Sequence, residues 1–75
     1  NSFITESAKR VLQRKDLLAD ATARTRKLYQ VLFMRLPHDD ELKMAREFLG
    51  NKPTTVHWEN FVQALLLTNE FTFID

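Results

Sequence analysis

Residues 54–66 read Thr54-Thr55-Val56-His57-Trp58-Glu59-Asn60-Phe61-Val62-Gln63-Ala64-Leu65-Leu66. Trp58, Phe61, Val62, Leu65 and Leu66 stand at i, i+3, i+4, i+7 and i+8. That spacing puts five large apolar side chains on one stripe of an α-helix. Thr54 or Thr55 is the expected cap, because a hydroxyl there can accept a backbone N–H of the first turn. This stripe is the cleanest in the chain, and the fold follows from asking what packs against it.

Upstream, Leu42, Ala45, Phe48 and Leu49 give a second stripe behind His38-Asp39-Asp40-Glu41. Three carboxylates in a first turn suit the positive end of a helix dipole. Gly50-Asn51 supplies the stop, since glycine takes positive φ without a Cβ clash. Further back, Leu28, Val31, Leu32 and Leu36 form a stripe flanked by Tyr29 and Phe33. Asp20 is its expected cap and Pro37 its expected stop. The wide apolar arc predicts that this helix is central. At the start, Ile4, Ala8, Val11 and Leu12 recur at helical spacing, with Ser2 as the expected cap and Glu6 in the first turn. That helix is expected to end near Arg14 or to run on through Leu17 and Leu18. After Leu66 comes an apolar tail, Phe71, Phe73 and Ile74, read as a frayed helical end or as an extended strip folded back on the core. Alternating strand patterns, internal repeats and low-complexity stretches are not evident. Four amphipathic helices with short connections predict a small all-α antiparallel bundle spanning residues 1–75 as a single domain.

Composition narrows the chemistry. The 75 residues contain no Cys, one Gly and two Pro. A disulfide framework, a Cys-ligated zinc site, an iron–sulfur cluster and a glycine-rich phosphate loop are thereby excluded within this segment. No apolar run approaches the roughly 20 residues that span a bilayer, and no signal peptide is visible. The chain opens on Asn1, which is read as the start of a piece of something longer. Net charge is +1, but it is unevenly placed. Residues 1–37 carry eight cations against three anions, a net +5, and residues 38–75 carry three against seven, a net −4. A basic face for an anionic partner is one reading, with Arg24, Arg26 and Lys27 as its candidate residues. The preferred reading is a set of solvated helix faces whose opposite charges meet on packing, because no aromatic is placed to stack bases. Nucleic acid is therefore not the expected partner.

Candidate reactive groups are few. His38-Asp39-Asp40-Glu41 could attract a hard cation, but consecutive helical residues point in different directions and calcium-loop spacing is absent. His38 and His57 are the only histidines and fall on different predicted helices. Ser2 and Ser7 are the only serines, with no histidine at motif spacing. No catalytic, metal or cofactor residue is expected. Asn69 and Glu70 could face a ligand or a neighbouring domain; otherwise Asn69 closes the helix and Glu70 pairs with a base such as Lys27 or Arg24.

An ordered set of landmarks carries a family resemblance. It runs Asn1-Ser2-Phe3, Arg26-Lys27-Leu28-Tyr29, Arg35-Leu36-Pro37 with Glu41-Leu42, Phe48-Leu49-Gly50, Trp58, Gln63-Ala64-Leu65-Leu66, Thr68-Asn69-Glu70-Phe71 and Phe73-Ile74-Asp75. Over essentially all 75 residues the chain resembles the C-terminal end of the planctomycete-type domain of unknown function 1553. Three places depart from that pattern: no proline follows Ser2, His38-Asp39 stands where Thr-Pro is common, and Leu67 replaces an asparagine. The resemblance implies a C-terminal helical domain of a larger, exported or periplasmic protein, often one that also carries a planctomycete cytochrome c domain. It implies no catalytic residue here.

The expected function is thus a non-catalytic structural or interaction domain, not an enzyme by itself. Its expected partners are the upstream domains of its parent and other proteins. Two alternatives remain open: completion of an upstream enzymatic or redox site, and weak polyanion binding through the basic half.

Overall fold

A computed structural model describes residues 2–68. It is an all-α bundle of four helices: α1 (Ser2–Leu12), α2 (Ala21–Phe33), α3 (Asp39–Leu49) and α4 (Thr55–Leu66). Helix α4 packs against both α1 and α3, and α2 packs against α3. All five residues of the 58–66 stripe are buried. They meet Ala8 of α1, Leu28 and Tyr29 of α2, and Ala45 and Leu49 of α3. The central helix is therefore α4 and not α2, which buries only Thr25, Leu28 and Tyr29. The reason lies in the side chains. Much of the apolar arc of α2 is only half covered, with Val31, Leu32 and Phe33 of intermediate exposure.

The helix ends show which local signals act. Asp20 caps α2 by accepting the Ala23 N–H at 3.0 Å. Thr54 caps α4: its Oγ1 accepts the His57 N–H at 3.3 Å, and the Thr54 N–H donates back to His57 Nδ1 at 2.9 Å. His57 thus fills the place that Glu or Gln holds in a capping box. The donation assigns its ring proton to Nε2. Gly50 closes α3 at φ 80°, ψ −174°, a region essentially restricted to glycine.

Other ends differ from expectation. Ser2 is itself the first helical residue, so Glu6 lies beyond the first turn. Helix α1 stops at Leu12, its last turn tightened by Gln13 N–H to Arg10 O and Arg14 N–H to Val11 O, both 3.2 Å. Leu17 still packs against the core from the connection, whereas Leu18 is exposed. Helix α2 ends three residues before Leu36, at a left-handed Met34 with φ 59° and ψ 33°. The Met34 N–H returns to Gln30 O at 3.0 Å, closing the helix. Pro37 restricts Leu36, as expected, but the stop lies upstream of it. On α3 the cap position is His38, and Glu41 reaches back to accept the His38 N–H at 2.8 Å.

Candidate interaction surface

The chemically versatile side chains hold the scaffold together. Arg35 grips Glu41 with both ends of its guanidinium, Nη1 to Oε1 and Nη2 to Oε2, each at 2.9 Å. Arg35 Nη1 also donates to its neighbour's carbonyl, Leu36 O, at 2.9 Å. The same guanidinium stands 5.4 Å from the Tyr29 ring centroid and 6.0 Å from that of Phe33. The α2–α3 turn is therefore a clasp: one cation ties a first-turn carboxylate of α3 to the aromatic end of α2. The hydrogen bonds from Arg35 hold the Glu41 carboxyl down at about 2 against an opposing cost of burial, with help from the His38 N–H. Bidentate geometry makes this the strongest type of arginine–carboxylate contact. From the sequence, Glu41 is a first-turn anion, one of a possible cation-attracting cluster and a landmark shared with Arg35, but not the partner of Arg35. The signal for more was Glu three residues after the cap position, with Arg35 on the near side of the turn.

A second cluster pins the connection between α1 and α2. Arg14 contacts Asp16 through Nε–Oδ1 at 3.0 Å and Nη2–Oδ2 at 2.8 Å. Lys27 adds Nζ–Oδ2 at 3.5 Å. The Arg14 hydrogen bond is the main cause that lowers the Asp16 carboxyl to about 2.

These contacts decide where the candidate residues stand. Arg24 lies 4.9 Å from the Trp58 ring centroid and donates Nε–H to Leu18 O at 2.8 Å. Lys27 faces Asp16. Arg26 is exposed and, two residues from Arg24, falls about 200° around the helix from it. The three do not make one patch: two serve the fold and one faces solvent elsewhere. Asn69 and Glu70 lie outside the described residues, as do Phe71, Phe73 and Ile74. His57 uses its ring in the α4 cap, whereas the His38 ring is exposed at the α3 start, 3.6 Å from Glu41 Oε1, and among the described residues no three His, Cys, Asp or Glu side chains converge as a metal site would require. Among them, too, no helix is long and apolar enough to cross a membrane.

Two grooves are the features that the sequence did not foretell. The first, about 360 Å³, runs between α1 and α2 over α4. Val11, Val31, Leu32 and Leu66 make its floor, and Arg10, Arg14 and Ser7 its rim. Arg10 lies in the last turn of α1, and Arg14 lies just past its end, held by Asp16. The second groove, about 370 Å³, runs between α3 and α4, with Met44, Phe48, Phe61, Ala64 and Thr68 on its walls. Phe48, expected in the core, is 50% exposed here, its ring 5.6 Å from Phe61. Helix α3 seats on Ala45 and Leu49, which turns Phe48 to the edge of the buried stripe. By contrast Trp58 is 6% exposed and edge-on to Phe61 at 6.1 Å, an anchor of the core as expected.

Compared with family models, with curated proteins and with solved structures, the chain finds no match in any of the three.

Proposed function

We propose that this chain is a non-catalytic helical interaction domain, and that it docks an acidic, apolar segment of the domains upstream of it in a longer protein. The observation that carries this reading is the α1–α2 groove, where an apolar floor lies beside the exposed Arg10, Arg14 at the same rim being paired with Asp16. Such a site rewards a partner helix or strip with apolar anchors and carboxylates at its margin. The resemblance to the C-terminal end of the planctomycete-type domain of unknown function 1553 supports placement beside other domains of an exported protein.

The test is titration of the chain with a fluorescent amphipathic peptide rich in Leu and Glu, and with its Leu/Lys counterpart. Saturable binding of the acidic peptide only, weakening as salt rises, is expected. Arg10→Glu should reduce it at least tenfold. Arg26→Glu changes charge by the same amount away from the groove and should leave it within about twofold. Equal losses in the two variants, or no saturable binding, would refute the proposal.

A further inference from the structure

We infer that the groove between α3 and α4 is a binding site for a small quaternary ammonium compound of the choline type. It shares no lining residue with the α1–α2 groove, so the two sites stand or fall separately. Asp40, Met44 and Phe48 follow one another at intervals of four along α3, a single row of exposed side chains. From α4, the buried Phe61 meets the end of that row, its ring centroid 5.6 Å from that of Phe48 and the two planes inclined at 53°. The rings make a wedge that is open on the Phe48 side. The Met44 thioether stands one turn, about 6 Å, along the helix from it, and Asp40 one turn further on. The cavity between the helices measures about 370 Å³, at the small end of ligand pockets, which run from about 300 to 1,000 Å³.

Charge and softness choose the ligand. Asp40 and Glu41 are the charged residues of the lining. Glu41 is matched by its two contacts with Arg35, which leaves the exposed Asp40 as the net charge at that end. An aromatic ring attracts a cation through its quadrupole, and a polarizable thioether packs well against methyl groups. A primary ammonium is strongly hydrated and must shed water to reach such walls, whereas a quaternary ammonium presents its charge through methyl groups. A cation seated at the level of Met44 lies between the wedge and the carboxylate, within a Debye length of about 8 Å of Asp40. An anionic group on the same ligand enters that field with the wrong sign. This favours the free alcohol over its phosphate ester.

The experiment is an amide NMR titration of the isotope-labelled full chain, at constant ionic strength, with choline and three relatives. Ethanolamine keeps the charge without the methyl groups, dimethylbutanol is the neutral carbon isostere, and phosphocholine adds the phosphate. Choline should shift the amides of Met44, Phe48 and Phe61 saturably, with a Kd in the millimolar range, and leave those of Val11 and Leu32 in place. Each relative should bind at least about fivefold more weakly. Phe48→Leu keeps the apolar volume without the ring, and Asp40→Asn removes the charge. Each should weaken choline binding about threefold or more, with helical CD retained. Equal binding of choline and dimethylbutanol would overturn the inference, since the groove would then select only for apolar surface. So would a choline affinity that either substitution leaves unchanged, or the lack of any saturable shift at Met44, Phe48 and Phe61.

Discussion

Replacing Glu41 by glutamine tests the clasp between α2 and α3. The change keeps an oxygen for the His38 N–H but removes the charge that Arg35 holds with two 2.9 Å contacts. Lowering the carboxyl from the ordinary 4.5 to about 2 corresponds to about 3.4 kcal/mol of preference for the ionised form in the folded state. That figure is an upper bound. The side chains of Arg35 and Glu41 are 29% and 25% exposed, and solvent screens a pair at such a site. About 1–1.5 kcal/mol is the expected loss, or roughly 5–10 °C in Tm for a domain of this size. The pH dependence has a definite sign. A carboxyl depressed by folding contributes fully above its unfolded value of 4.5, and the contribution is lost as pH falls toward 2. Urea melts of the two chains between about pH 7 and pH 2 should therefore show a gap that is constant at high pH and nearly closed at the acid end. Other carboxyls titrate in both chains and cancel in the difference. A gap that persists unchanged to pH 2, or none at pH 7, would refute the assignment of the clasp.

Three further perturbations are separately measurable. Trp58→Ala should cost about 3–5 kcal/mol, enough to unfold much of so small a domain, and native Trp fluorescence should be blue-shifted and resistant to iodide. Thr54→Ala should cost about 1 kcal/mol by equilibrium denaturation through loss of the α4 cap, and Val56→Ala on the exposed side of the same helix much less. Gly50→Ala should destabilise by about 1–3 kcal/mol although nothing lies within 4 Å of the added carbon, because φ 80° with ψ −174° is strained for any residue with a Cβ.

Local signals carried most of the secondary structure. Each helix was legible because apolar residues recur at its period, and Asp20, Thr54 and Gly50 act at the ends where their side chains, or the lack of one, predict. These are interactions within four residues of sequence, so the chain itself contains both partners. The same holds for the excluded chemistry: a chain without Cys and with one Gly cannot build thiolate sites or glycine-rich loops.

Contacts between segments were decided only by tertiary structure. The α2 stop at Met34 is coupled to Arg35 meeting a carboxylate six residues on, a contact that requires the turn to be formed first. Periodicity ranks α2 as central because it counts apolar residues, whereas burial depends on how closely neighbouring helices cover them, and α4, packed on α1 and α3, buries its whole stripe. That opposite charges would meet on packing was expected, but which groups Arg24 and Lys27 meet, Trp58 and Asp16, only the tertiary structure decides. Both grooves arise the same way: a helical stripe says which side faces inward, but not how closely two inward sides approach, and a gap of a few ångströms between helices is what separates a closed core from an open groove.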